Sequence, residues 1–88
     1  MMTRRVYNKH IYRLLARVAI VRDRLHADIK LCLNSTEGDL LSIKHSDTEL
    51  RYVQSFEIRL NGEGVFPSEQ FNLAHKYIDE LLKQEENQ

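Results

Sequence analysis

The 88-residue chain holds one cysteine, one proline, three glycines and no tryptophan. A single thiol, Cys32, excludes an internal disulfide and a thiolate metal site built by one copy. So little glycine and proline argues against long flexible linkers, and one domain over 1–88 is expected, with 1–2 and 84–88 frayed. No apolar run reaches the roughly 18 residues of a membrane span, so no membrane partner is expected and a reducing, cytoplasmic setting is the reading. The N-terminal third is poor in acid. Residues 1–22 contain none, in the manner of a mitochondrial targeting segment, but they also lack serine and their pattern runs on into the rest of the chain. A structural helix is therefore expected there.

What is present is sorted by sign. Residues 1–33 carry eight Lys or Arg against Asp23 and Asp28, a net of +6. Residues 34–88 carry five basic against eleven acidic residues, a net of −6, so the formal charge of zero conceals a polarised molecule. Segregated charge either steers a partner or is neutralised where the two halves of the chain meet.

Apolar periodicity gives the architecture. Tyr7, Ile11, Leu14, Val18, Val21 and Leu25 step by three and four, which lines one face of a helix from about Thr3, its N-cap, to Leu25. From 26 to 33 the pattern is ambiguous: Ile29 and Cys32 extend the helical stripe, whereas Ile29, Leu31 and Leu33 alternate as in a strand. The turn cluster 34–39 and the second apolar run, Leu40 to His45, favour a hairpin, with a polar turn at 46–49. Leu50, Tyr52, Phe56, Ile58 and Leu60 then fall on one face of a third strand, with Arg51, Ser55, Glu57 and Arg59 on the other. Glycines in 61–64 end it at positive φ. Ser68 is the expected cap of a second helix whose stripe is Phe71, Ala74, Ile78 and Leu81. The expected fold is α+β: helix, three-stranded antiparallel meander, helix, with both helices on one face of the sheet.

This order resembles that of double-stranded RNA-binding domains in the sequence of elements alone. Those domains carry a lysine-rich start to the second helix, where this chain reads Pro67-Ser68-Glu69-Gln70-Phe71-Asn72, without a basic residue. The likeness therefore does not extend to the residues that hold phosphate.

Candidate sites follow from charge more than from motif. At 100° per residue, Lys9, Arg13, Arg17 and Arg24 fall within about 80° of one another, roughly opposite the apolar stripe. Such a basic stripe suits an acidic protein surface or several phosphates. His10, His26, His45 and His75 share no spacing that sets two ligands on one helix face, and no metal site is expected. Cys32, flanked by Leu31 and Leu33, reads as an inert thiol. The segment 61–64 lacks the spacing of a phosphate loop. No catalytic residue and no cofactor is expected. The sequence thus leads to a small non-catalytic protein-interaction module, a stand-alone regulator or inhibitor, working through Lys9, Arg13, Arg17 and Arg24. The alternative is nucleic-acid binding through the same helix. Tyr12 and Leu15 beside the stripe also lead to a homodimer through the first helix.

Overall fold

In the computed structural model, residues 2–25, 28–47 and 52–86 are described, the side chains of 45–47, 52–55 and 84–86 excepted. The elements are α1 (Arg4–Leu25), β1 (Asp28–Ser35), β2 (Gly38–Asp47), β3 (Tyr52–Arg59) and α2 (Pro67–Glu86). The three strands form one antiparallel sheet in the order β1-β2-β3. Both helices contact the sheet and pack on each other, α1 against β1 and α2 against β3. An odd number of antiparallel strands between two helices makes the helices run the same way. Both N-termini therefore lie at one end of a body measuring 43 × 23 × 18 Å.

The helical stripe of α1 is the core: Ile11, Leu14, Val18 and Val21 are buried, with Tyr7 and Leu25 packed at its ends. They meet Phe71, Ala74, Ile78 and Leu81 of α2 and Ile29, Leu41, Ile43, Ile58 and Leu60 from the sheet side. Each fully buried side chain of this size contributes about 1.5–3 kcal/mol by leaving water, which is what holds two helices on three short strands. Phe56 stacks on Tyr77 at 4.8 Å and fixes α2 over β3.

Residues 28–33 are strand. Pairing of Cys32 with Leu40 and of Leu31 with Leu41 puts Cys32 on the outer face of the sheet, away from the helices. Lys30, Lys44, Glu57 and Arg59 are exposed on that face. A register irregularity between Cys32 and Ser35, with Asn34 at φ 60°, bends the end of the edge strand. That bend takes Leu33 out of the alternation: it is 49% exposed and not a core residue.

Three expected details change. Ser46 and Asp47 belong to β2, so pairing outruns the apolar run at 40–45. The second helix begins at Pro67, not after Ser68. The Phe66 carbonyl accepts from the Gln70 amide at 3.1 Å, and Pro67 occupies the first helical position, where its missing N–H costs nothing. Leu60 is buried but lies just beyond β3, held by its amide donating to the Asp39 carbonyl at 2.7 Å. Thr3 caps α1 as its sequence indicates, its Oγ1 accepting from the Val6 amide at 3.2 Å. Gly62 and Gly64 take positive φ. Thr48 and Glu49 of the expected turn, Leu50, Arg51 and the side chains of Tyr52, Gln54 and Ser55 lie outside what is described.

Candidate functional site

α1 presents two different surfaces. Lys9, Arg13 and Arg24 are exposed, as are Arg4, Arg5 and Arg22. Arg17 is not part of this free set. It sits nearest α2, its side chain 29% exposed, where one guanidinium nitrogen pairs with Asp79 and another donates to His75 Nδ1 at 3.0 Å. Among the described residues this is the sole ion pair, and it joins the basic first third of the chain to the acidic remainder.

Guanidinium can only donate, so Nδ1 of His75 must accept and the ring must be neutral. Burial between the helices, then the positive charge of Arg17 and Arg13, pushes the His75 pKa below its ordinary value against the opposing charge of Asp79. A depressed histidine pKa means that the unfolded chain takes up this proton first. The His75 contribution to stability is therefore complete above pH of about 6.5 and declines as pH falls below it. Urea titrations at pH 7.5 and 5 are expected to show that His75→Gln loses less stability between the two than the wild type. Equal losses would mean that the ring accepts its proton in place.

His10 is spent on packing, stacked on Phe71 with centroids 5.0 Å apart. His26 and His45 lie outside the described side chains. Among the described residues no three His, Cys, Asp or Glu side chains gather to hold a metal ion. Likewise no helix is long and apolar enough to cross a membrane.

Sequence reasoning missed a second feature, at the end of the molecule where both helices begin. An open cavity of ≈ 870 Å³ lies there, with Met2, Ile11, Leu33, Val65 and Phe66 as apolar walls and Arg4 at the side. Asp39, 8% exposed, is buried at its floor. Its Oδ1 accepts from the Asn34 amide at 2.9 Å, and its Oδ2 accepts from Tyr7 Oη at 2.5 Å and Asn61 Nδ2 at 3.3 Å. The Asp39 amide donates in return to Asn61 Oδ1 at 2.6 Å.

Burial and the hydrogen bond donated to Asp39 push the Tyr7 hydroxyl far above its ordinary pKa, which keeps it a donor throughout the physiological range. Both carboxylate oxygens are thus engaged by groups of the chain itself. Asp39 acts as a clamp that joins α1, the β1–β2 turn and the segment after β3. The signal in the sequence was faint: an Asp in a turn cluster, one Asn on either side, and a Tyr at the head of a core stripe.

Glu69 is exposed in the first turn of α2, and this end of the helix carries no cation. The likeness to RNA-binding domains therefore stays one of element order. Comparison of the chain with protein-family models, curated proteins and solved structures finds no match.

Proposed function

We propose that this chain is a non-catalytic interaction module, a small regulator or inhibitor that docks on an acidic surface of a larger protein through the outer side of α1. The observation that carries the reading is the composition of that side. Lys9, Arg13 and Arg24 are free of ion pairs with any described residue, and they stand among exposed apolar side chains, Val6 at 42%, Tyr12 at 70%, Leu15 at 48% and Ile20 at 45%. Cations beside apolar contact area suit a protein interface, with its dry centre and polar rim. A phosphate-binding face has no use for exposed leucine and isoleucine, and α1 sets no aromatic row on its cationic side for stacking bases.

Because Arg17 is committed to Asp79 and His75, the residues to change are Arg13 and Arg24. The double variant Arg13→Glu/Arg24→Glu is expected to weaken capture of the partner by at least about tenfold. Its melting temperature should remain near that of the wild type, since both side chains are exposed. The assay is retention of host protein on the immobilised chain after nuclease treatment, at low salt and at about 300 mM salt. A partner retained through nuclease and salt, and lost with the double variant, supports the reading. Retention of nucleic acid alone, falling steeply with salt, would replace it by phosphate binding.

The ion pair itself carries little energy. Asp79 is 66% exposed, and replacing it by Asn is expected to change stability by less than about 1 kcal/mol, as for other solvent-screened pairs. Urea unfolding checks this, and a loss of several kcal/mol would make Arg17–Asp79 the lock of the helix pair.

A further inference from the structure

On α1, the residues that point away from the core do not form a uniform cationic face. Tyr12, Leu15, Ala16 and Ala19 are all exposed and, at 100° per residue, share a sector of about 100°. This sector is centred about 130° from that of Ile11, Leu14, Val18 and Val21, and the basic flank of Lys9, Arg13 and Arg24 adjoins it. Along the chain the strip reads two large residues, then two small ones.

That order is self-complementary under reversal. We propose that a second copy of this chain docks on the strip, the two α1 helices crossing antiparallel about a two-fold axis. Tyr12 of each copy then covers Ala19 of the other, and Leu15 covers Ala16. Alanine allows the helix axes to approach to about 8 Å, and the large side chains fill the space that it leaves. A parallel pair would stack Tyr12 on Tyr12 and face Ala16 with Ala16, crowding one end and leaving a void at the other.

Charge selects the same arrangement. Asp23 is the one acid of α1, and it shares its angular position with Arg5 at the opposite end of the strip. In this register Asp23 of one copy falls within one helical turn of Arg5 of the other, about 4.5 Å along the axis and inside the reach of an arginine side chain, and the two-fold axis makes this happen twice. In a parallel register Asp23 meets Asp23 and Arg5 meets Arg5. The two-fold axis also leaves the Lys9, Arg13 and Arg24 flanks of both copies side by side on one side of the helix pair, a single cationic surface twice as wide. From Arg5 to Asp23 the strip is about 27 Å long, a contact at the small end of stable interfaces. A dissociation constant on the order of 10 µM is therefore expected, not a nanomolar dimer.

This inference does not rest on the docking reading: Tyr12 and Leu15 figure in both, but the charges that test it, Arg5 and Asp23, and the assay are different. Sedimentation equilibrium from about 1 to 200 µM, where 100 µM is roughly tenfold above the expected constant, should carry the mass from 10.4 kDa towards twice that value. Ala16→Glu, at an exposed position, should hold the chain monomeric without lowering its melting temperature. Arg5→Asp alone and Asp23→Arg alone should each weaken association by about tenfold. The double variant, and an equimolar mixture of the two single variants, should both restore it. Arg5 and Asp23 of one helix lie too far apart to touch, so rescue can arise only between copies. A monomer at every concentration overturns the proposal, as does a dimer indifferent to Ala16→Glu and to the charge exchange.

Discussion

Phe71→Ala is expected to remove about 3–5 kcal/mol of stability, most of what a domain of this size has. Phe71 is 1% exposed and is the largest fully buried side chain of the protein. Its ring is gripped from two sides by α1. Tyr7 meets it edge-on with centroids 5.3 Å apart, and His10 stacks over it at 5.0 Å. Truncation leaves a cavity between two helices, and neither can close it. Tyr7 is tied to Asp39 at one end, and Leu14, two helical turns on, is itself fully buried. At about 4–8 °C per kcal/mol, the melting temperature should fall by tens of degrees. Phe71→Leu keeps most of the volume and should cost less than half as much. Urea midpoints of the two variants test the account: similar small losses would mean that the head of α2 is loosely docked.

The same residue marks how far the sequence could be read. Phe71 belongs to a stripe of period three to four, and so do Leu14, Val18 and Ile78. A side chain placed by its own helix is legible because the helix repeat alone decides which way it faces. The alternation of Phe56, Ile58 and Leu60 was legible for the same reason. Leu33 was not, because one irregularity in register and a left-handed Asn34 undo the two-residue repeat at the end of β1. Ser68 failed as a cap since Pro67 starts the helix earlier, and a proline in that position reads equally well as the last residue of a loop.

The candidate site divides along the same line. Helix geometry grouped Lys9, Arg13, Arg17 and Arg24 on one side of α1. It could not tell that Arg17, at the edge of that group, would turn to α2 and meet His75 and Asp79, since that depends on where a second helix lies. Asp39 was still less visible. Its partners come from positions 7, 34 and 61, and no local pattern links residues so far apart.

Gly38→Ala is expected to cost about 2–4 kcal/mol, though only one methyl group is added. Two costs coincide at this position. Gly38 has φ of 100°, where an L side chain is strained. A Cβ there would lie 2.6 Å from Asn61 Oδ1 and 2.7 Å from the Asn61 carbonyl oxygen. The first of these atoms is also the acceptor for the Asp39 amide, so the side chain cannot swing aside without opening the clamp. The second is backbone and moves only with the segment that leads into α2. Gly64 separates the two costs. Its φ is 75°, yet nothing lies within 4 Å of its would-be Cβ. Gly64→Ala should therefore cost about 1–2 kcal/mol, the conformational term alone. Removing the Asn61 amide from the Gly38→Ala background should recover little, because the carbonyl clash remains and Asp39 loses a donor. Equal losses for Gly38→Ala and Gly64→Ala would mean that the β1–β2 turn yields by a few tenths of an ångström. Asp39 would then hold a pliable corner in place of a rigid one. If the difference is as large as expected, the head of α1, the hairpin and the start of α2 unfold together, and α1 keeps its outer side presented only while that corner is intact.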